Sequence, residues 1–326
     1  MRRALVGSAV LVVLVTGLAA ARAAHAGRVR NVLVYSKAPS AMSSLDTEHV
    51  YQARIDGRSP RLVGVGWDPA VSPDGRWFAF GRGRKVVVVP TKGGTPRTVY
   101  RLHGRHSSLG AAPVWAPDSR VFGVIDSVGL AVVDLKQRTA KILPQTDRFD
   151  FSPDSRRVVY ENTANIYVIP ASGVGRVRRL TDDHKSFAPV WGEAGIAFVR
   201  YTRGAHGDVW LSDGRPRHAR QLTHDGAAFW PAFFSADGKE LLAANPATHN
   251  GRLWAVDVPS GKARPLTPWT GDLVPQGLSS DGKTVLAAVG CGGVPGLIGF
   301  VETIPFAGGK PHVIVRGPCR ASWYAR

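Results

Sequence analysis

Ser72-Pro73-Asp74-Gly75-Arg76, followed at once by the apolar run Trp77-Phe78-Ala79-Phe80, is the segment most informative about the fold. Proline presets φ, aspartate accepts hydrogen bonds from the backbone that follows it, and glycine tolerates positive φ. The pentapeptide is therefore typical of a tight turn. The short run after it is rich in aromatic residues and indicates a buried β-strand. We expect a β-hairpin that turns at this pentapeptide.

The same turn recurs along the chain at a regular interval. Its other copies are Ala116-Pro117-Asp118-Ser119-Arg120, Ser152-Pro153-Asp154-Ser155-Arg156, Ser235-Ala236-Asp237-Gly238-Lys239 and Ser279-Ser280-Asp281-Gly282-Lys283. The five aspartates lie 44, 36, 83 and 44 residues apart, and the gap of 83 contains one degenerate copy from Pro189 to Gly195. A period of about 40 residues predicts a repeat architecture. We interpret Asp74, Asp118, Asp154, Asp237 and Asp281 as structural turn residues.

Each turn introduces a set of short strands. After Asp154 these are Arg157–Tyr160, Asn165–Ile169 and a third that ends in Arg179-Leu180-Thr181. Strands of four to six residues, separated by turns rich in Gly, Pro, Asp and Ser, predict an all-β protein. No convincing helix follows the first 26 residues.

The turn motif, its spacing and the Leu-Thr ending, seen again at Leu222-Thr223 and Leu266-Thr267, resemble the TolB-type β-propeller repeat. Propellers of prolyl-oligopeptidase-like enzymes share this repeat. The resemblance covers nearly all of the chain from about residue 31, and it implies a propeller of four-stranded blades. Because such folds carry many unrelated functions, it implies nothing specific about activity.

The two ends of the chain predict the number of blades. Residues 31–63 supply three strands with no turn motif before them, and Arg320-Ala321-Ser322-Trp323-Tyr324 resembles a lone innermost strand. Joined in one blade, they complete a seventh blade and close the ring, which removes exposed sheet edges. We expect seven blades. Six is the alternative, because TolB itself has six and the N-terminal unit is the least regular.

The N-terminus has the pattern of a secretory signal. Arg2 and Arg3 precede an apolar run from Ala4 to Ala21, and Ala24-His25-Ala26 matches a cleavage site. A competing site shifts cleavage by three residues. We expect a signal peptide over residues 1–26 and a TolB-like propeller over residues 27–326, with no transmembrane segment after cleavage. The protein would then be secreted, to an extracellular, periplasmic or cell-envelope location.

The chain is strongly basic, with a formal net charge of +18. Removing Arg2, Arg3 and Arg22 lowers this by three, to +15 for the mature chain. Such a balance favours anionic partners such as wall polymers, phospholipid surfaces or nucleic acid. The basic residues are scattered rather than grouped in runs, and the distribution of charge is what identifies a nucleic-acid footprint. We therefore expect no nucleic-acid partner.

Two cysteines, Cys291 and Cys319, are an even number in a chain predicted to be exported. In the predicted topology both follow strands of the last blade and open on the same face of the ring, because successive strands are antiparallel. We expect them to form a disulfide.

Catalytic motifs are absent or explained by the repeat. Residues 277–284, GLSSDGKT, match the Walker A phosphate-binding pattern, but they are a copy of the turn and lead into a strand where the motif requires a helix. The sequence contains no Gly-x-Ser-x-Gly elbow, no His-Glu-x-x-His and no Cys-x-x-Cys. We predict no catalytic residue and no cofactor, and lean towards a protein that is not an enzyme.

Two residue types merit mapping onto the predicted blades. Seven of the ten histidines fall in loops on one face: His49, His103, His106, His184, His206, His224 and His249. A divalent metal site there would use His103, His106, His184 and His224, with Asp182, Asp183 and Asp225 as oxygen ligands. The simpler interpretation is that this face carries the longest loops. The tryptophans on or beside inner strands are expected to pack between blades: Trp67, Trp115, Trp191, Trp230 and Trp323.

Two functions follow from these patterns. The first is a secreted, monomeric, non-catalytic propeller that binds an envelope protein or an anionic wall polymer through its loop-rich face. The second is a metal-assisted lyase or hydrolase acting on an anionic polysaccharide, which rests on the histidines and the net charge. A tightly held Mn, Ca or Zn ion would favour the second.

Overall fold

The computed structural model describes residues 31–37, 48–103, 112–146, 148–203, 206–226, 229–244, 252–267, 273–279, 281–289, 299–317 and 320–324. The compact unit spans Asn31–Arg326. The described residues form 28 β-strands and no α-helix, and so contain no helix that is long and apolar enough to cross a membrane. The expectation of an all-β protein is confirmed.

The strands form seven antiparallel sheets of four, and these are the blades of a seven-bladed propeller. From the innermost strand outwards, blade 1 contains β28 (Arg320–Tyr324), β1 (Val32–Lys37), β2 (His49–Ala53) and β3 (Arg61–Val65). Blade 2 contains β4 (Trp67–Val71), β5 (Trp77–Arg82), β6 (Lys85–Pro90) and β7 (Arg97–Arg101). Blade 3 contains β8 (Val114–Trp115), β9 (Val121–Asp126), β10 (Gly129–Asp134) and β11 (Thr139–Leu143).

The remaining blades repeat this order. Blade 4 contains β12 (Phe149–Phe151), β13 (Arg157–Asn162), β14 (Asn165–Pro170) and β15 (Arg178–Arg179). Blade 5 contains β16 (Ser186–Gly192), β17 (Gly195–Arg203), β18 (His206–Ser212) and β19 (Ala219–Gln221). Blade 6 contains β20 (Trp230–Phe234), β21 (Glu240–Ala244), β22 (Leu253–Asp257) and β23 (Ala263–Pro265). Blade 7 contains β24 (Leu273–Leu278), β25 (Thr284–Val289), β26 (Phe300–Pro305) and β27 (His312–Arg316). Seven blades are confirmed against the six-blade alternative.

Successive strands run in opposite directions, so each blade has two ends. The repeated pentapeptide turns join first to second strands at one end, which we call the hairpin face. The links from second to third strands, and from each outer strand to the next blade, lie at the other end, which we call the loop face. The turns between third and fourth strands also lie on the hairpin face.

The turns are closed by their own side chains. In the turn of blade 4, Ser152 Oγ donates to Asp154 Oδ1 at 2.5 Å and accepts from Arg157 N at 2.9 Å. Asp154 Oδ1 also accepts from Arg156 N at 3.0 Å. The residue after the aspartate, Ser155, has a φ of 60°, and its equivalents are also left-handed. The aspartates of the other copies accept the same bond from the backbone two residues on, at Arg76, Arg120, Lys239 and Lys283.

Four of the inner strands contain a proline. An inner strand has no hydrogen-bonded neighbour on its channel side, so a missing N–H there costs no ladder bond. The ladder between first and second strands shifts register beside Pro69, Pro189, Pro231 and Pro275. These β-bulges bend the inner strands and re-aim the backbone and side chains at the channel mouth.

The ring is closed by the two ends of the chain. β28 pairs antiparallel with β1 over five residue pairs and supplies the inner strand of blade 1. It also bonds to blade 2, because Ser322 Oγ accepts from Val71 N at 3.0 Å. Leu33, Tyr35 and Ala321 share one buried cluster with side chains of blade 7. The C-terminal strand therefore links the first blade to both of its neighbours.

Removing β28 by ending the chain after Gly317 should lower the unfolding temperature of the whole domain and broaden the transition. The truncation exposes an edge of β1 and removes apolar contacts from blades 1 and 7. Differential scanning calorimetry of the truncated and full chains measures this effect. An unchanged midpoint and cooperativity would contradict the closure.

Replacing Asp154 with Ala should reduce the free energy of unfolding by about 1–2 kcal/mol, because two hydrogen bonds of the turn are removed. Urea denaturation measures the change. Ser152→Ala and the double variant complete a mutant cycle, in which we expect non-additive losses because the serine hydroxyl links the carboxylate to Arg157 N. Additive losses would show that the two side chains act independently.

Candidate functional site

An aromatic cluster occupies the loop-face mouth of the central channel. Trp230 begins the inner strand of blade 6, and its Nε1 donates to the Tyr201 hydroxyl of blade 5 at 2.7 Å. The Tyr201 ring meets Phe187 edge-on, with ring centroids 5.5 Å apart. The guanidinium of Arg148 lies 4.4 Å from the centroid of the Trp230 ring. We call Arg148, Phe187, Tyr201 and Trp230 the mouth cluster.

The mouth cluster spans three blades. Arg148 directly precedes the inner strand of blade 4, whereas Trp230 belongs to blade 6, so the arginine reaches past the inner strand of blade 5. A cation–π contact of this kind contributes about 0.5–2 kcal/mol, depending on how far the cation is removed from water. Arg148 is exposed, and the three aromatic side chains are half-buried. The cluster therefore presents aromatic ring surface together with a guanidinium group at the channel mouth.

Two half-buried carboxylates, of Glu161 and Asp150, position the strand beneath the cluster. The bulge in the inner strand of blade 5 places Ala188 at a φ of 50° and turns its N–H to Glu161 Oε2 of blade 4 at 2.9 Å. Further along, Trp191 N donates to Asp150 Oδ2 at 2.8 Å. Burial raises the pKa of Asp150 to about 6, although hydrogen bonds from Trp191 and Phe151 favour its charged form. Blades 4 and 5 are thus joined by side chain to backbone bonds near the channel.

His103, one of the predicted metal ligands, belongs to the seam between blades 2 and 3. Its Nδ1 lies 2.9 Å from Asp126 Oδ2, and Tyr100 donates its hydroxyl to the same oxygen at 2.6 Å. Burial alone would favour the neutral form of Asp126, but hydrogen bonds from Tyr100, His103 and Ser127 hold its pKa below the usual range. Burial, with the bond to Asp126, raises the pKa of Tyr100.

His184 lies in another seam, between blades 4 and 5. Its Nδ1 is 3.1 Å from Asn165 Nδ2 and 3.1 Å from the Thr163 carbonyl oxygen. Asn165 is fully buried and accepts from His184 N at 3.1 Å. Thr181, of the Leu-Thr ending, accepts from Ile166 N at 2.9 Å, which explains why threonine recurs there. The loop is therefore ordered by its own polar side chains.

His224 lies in a third seam, between blades 5 and 6, and is exposed. The three described candidates thus come from three different loops, and His106 lies outside the described residues. No group of three or more His, Cys, Asp or Glu side chains in the described ranges is placed to hold a metal ion. Asp183 instead pairs with Arg200 at 2.5 Å, and Asp182 with Arg217 at 2.6 Å. The metal site remains a prediction.

Two other sequence predictions, the disulfide and the signal peptide, concern residues outside the described ranges. Cys291 and Cys319 both lie there, so the disulfide remains a prediction, as does the signal peptide.

Of the inner-strand tryptophans, Trp67 and Trp115 are buried in the cluster between blades 2 and 3. Trp191 is half-buried under the guanidinium of Arg157, much as Trp230 is under Arg148. Sequence alone assigns Trp230 to packing between blades, whereas the structure places it at the channel mouth.

Comparisons with known proteins support the fold. No protein-family model matches the chain, and no curated protein sequence matches it. Among solved structures, it is similar to TolB from Acinetobacter baumannii, with 18% identity, a TM-score of 0.53, and coverage of 91% of this chain and 67% of that one. The β-propeller domain of the Trilobed protease from Pyrococcus furiosus gives 13% identity, a TM-score of 0.60, and coverage of 87% and 91%.

A third neighbour is an oligogalacturonate lyase in complex with manganese, at 14% identity and a TM-score of 0.56, with coverage of 76% of each chain. The resemblance to TolB-like and protease-associated propellers is confirmed. At these identities the likeness concerns the fold alone, because one fold carries many functions. The Trilobed protease propeller is described as having an open velcro topology, whereas β28 pairs with β1 here.

Replacing Asp150 with Asn should stabilise the protein at pH 8 relative to pH 4, although the amide keeps only one acceptor oxygen for the two backbone donors Trp191 N and Phe151 N. The native pKa of about 6 exceeds the unfolded value, so the native state binds more protons and loses stability as pH rises from about 4 to 6. The gain at pH 8 is at most about 3 kcal/mol, and smaller because Asp150 keeps some exposure to the channel. Urea midpoints across this pH range test the effect. A variant whose stability changes with pH in parallel with that of the unsubstituted protein would contradict the raised pKa of Asp150.

Proposed function

We propose that this protein is an exported, non-catalytic propeller that binds a protein of the cell envelope or its surroundings at the loop-face mouth. The observation that carries the proposal is the mouth cluster. Trp, Tyr and Arg are the residue types that dominate binding energy at protein interfaces, especially when grouped and partly desolvated. Three blades contribute to the cluster, so a ligand there contacts a rigid platform.

The distribution of charge favours a protein over an anionic polymer at this face. Acidic side chains lie on it at Asp182, Asp183 and Asp225. Two of the basic residues near the mouth, Arg200 and Lys185, lie beside Asp183. A face of mixed charge would repel much of a polyanion, whereas it suits the mixed polar rim of a protein interface. We expect the propeller to act as a monomer, because its sheets are closed into a ring.

The proposed export rests on the signal pattern of residues 1–26, and an envelope location accords with the TolB-like fold. The metal-assisted lyase or hydrolase remains the alternative. It would need ligands from the three separate seams of His103, His184 and His224, or from His106. Elemental analysis of the purified protein separates the two functions, since one stoichiometric Mn, Ca or Zn ion per chain would favour the alternative.

Replacing Trp230 with Ala should abolish capture of the envelope partner while lowering stability only modestly, since the ring is half-buried. Trp191→Ala is the matched control, because Trp191 is also a half-buried inner-strand indole beneath an arginine, but near the hairpin face. Chemical crosslinking to solubilised envelope proteins, quantified by mass spectrometry, compares the three proteins.

A partner that disappears with Trp230→Ala and is kept with Trp191→Ala supports the proposal. A set of crosslinked proteins that is the same for all three chains would overturn it. Thermal melts of both variants show whether a loss of capture reflects unfolding. Trp230→Phe keeps an aromatic ring and removes the bond to Tyr201, so it separates stacking from the hydrogen bond.

A further inference from the structure

The excess of basic over acidic residues is concentrated on the outer rim of the propeller. We define the rim as the turn between third and fourth strands of each blade together with the fourth strand: residues 54–65, 91–101, 135–143, 171–179, 213–221, 258–265 and 306–316. The rim contains 19 of the 42 Lys and Arg residues but only two of the 24 Asp and Glu residues. Its formal charge is therefore +17, against +18 for the whole chain.

Every blade contributes two or three basic residues to the rim, and 17 of the 19 are exposed. The residues that are scattered in sequence thus form a belt around the ring. Charged side chains on outer strands also protect sheet edges from pairing with another chain. Lysine is the residue especially used for that purpose, but 14 of the 19 are arginines, and elsewhere the chain has 23 basic and 22 acidic residues. The single sign of the rim indicates an anionic partner.

The rim deepens into a cleft of about 580 Å³ between blades 4 and 5. Arg176, Arg178 and Arg179 line one wall, and Arg217 lines the other. Two of these arginines are positioned by the protein: Arg179 Nε donates to the Thr181 carbonyl at 2.7 Å, and Arg217 pairs with Asp182 at 2.6 Å. Four guanidinium groups against one carboxylate leave the cleft with a net positive charge.

We propose that the rim binds a flexible linear polymer of phosphate groups, anchored in the cleft between blades 4 and 5. Guanidinium groups bind phosphate and carboxylate oxygens through paired N–H donors. A phosphate group carries its oxygens in a tetrahedral arrangement and can present them to both walls of the cleft at once, whereas the two oxygens of a carboxylate lie in one plane. The opposed walls therefore favour phosphate.

The geometry of the rim selects among phosphate-bearing partners. A domain of about 300 residues has a radius of gyration of about 19 Å, whereas duplex DNA has a persistence length of about 500 Å. Duplex DNA and a flat membrane can therefore touch only one side of a ring that is basic all round. Single-stranded nucleic acids bind through stacking on exposed aromatic rings. The rim has two aromatic residues, Tyr100 and Phe306, and both are buried.

The test uses long-chain inorganic polyphosphate, labelled at one end, and fluorescence anisotropy with the full chain at several salt concentrations. Arg176→Gln with Arg217→Gln removes one charge from each wall of the cleft. We expect a roughly tenfold weaker Kd and a salt slope that falls by about one for each arginine replaced. Lys310→Gln with Arg316→Gln, in blade 7, should weaken binding less. Tripolyphosphate should bind more weakly than the long chain.

The matched control is Arg76→Gln with Arg156→Gln, which makes the same charge change at exposed hairpin turns off the rim. Equal losses of affinity in the cleft and control variants would show bulk charge attraction and overturn the proposal. So would the absence of binding, a tripolyphosphate affinity equal to that of the long chain, or equally tight binding of polygalacturonate, duplex DNA or phosphatidylglycerol vesicles. Trp230→Ala should leave polyphosphate binding unchanged, so this proposal and the one for the channel mouth can fail separately.

Discussion

Pairing of β28 with β1 closes the ring, and every blade relies on that closure. Each blade is a small sheet that can bury its two faces only against its neighbours, so an open array would expose one face at each end. The pairing removes both ends at once and joins blade 1 to blades 2 and 7. Because the C-terminus supplies an inner strand, the order of the entire molecule depends on a contact between segments at opposite ends of the chain.

Closure also divides the surface into regions with different chemistry. The hairpin turns carry aspartates that are satisfied by their own backbone, so their charges are used locally. At the loop face, buried acids such as Asp126 and Asp208 organise the links between blades. The mouth cluster lies where these links meet the channel. The rim, which faces away from the channel, carries nearly all of the net charge. One chain can therefore present an aromatic mouth and a basic belt to different ligands.

In a repeat protein, residues at the same position of each repeat occupy equivalent places in the folded structure. Basic residues at the same phase of each repeat are about 40 positions apart in sequence, yet they share one circumference in the folded ring. The same relation explains the recurrent Leu-Thr ending, because each threonine accepts a hydrogen bond from a backbone N–H in the third strand of its own blade. Trp230 has a counterpart in Trp67, which begins the inner strand of blade 2 but is buried. The mouth is made specific by which residue each blade carries there, such as Arg148 in blade 4 and Trp230 in blade 6.

Features that depend on local and periodic chemistry could be predicted before folding was considered. The Ser-Pro-Asp-Gly turns, their spacing and the lone strand at the C-terminus were sufficient for an all-β propeller of seven closed blades, since each turn is closed by bonds within a few residues. The site, by contrast, exists only once the blades are packed. Arg148 and Trp230 are 82 positions apart and meet across an intervening blade, and no local pattern encodes that approach. The sequence did not predict the grouping of positive charge on the rim either, because residues scattered along the chain become neighbours only when the blades are packed in the ring.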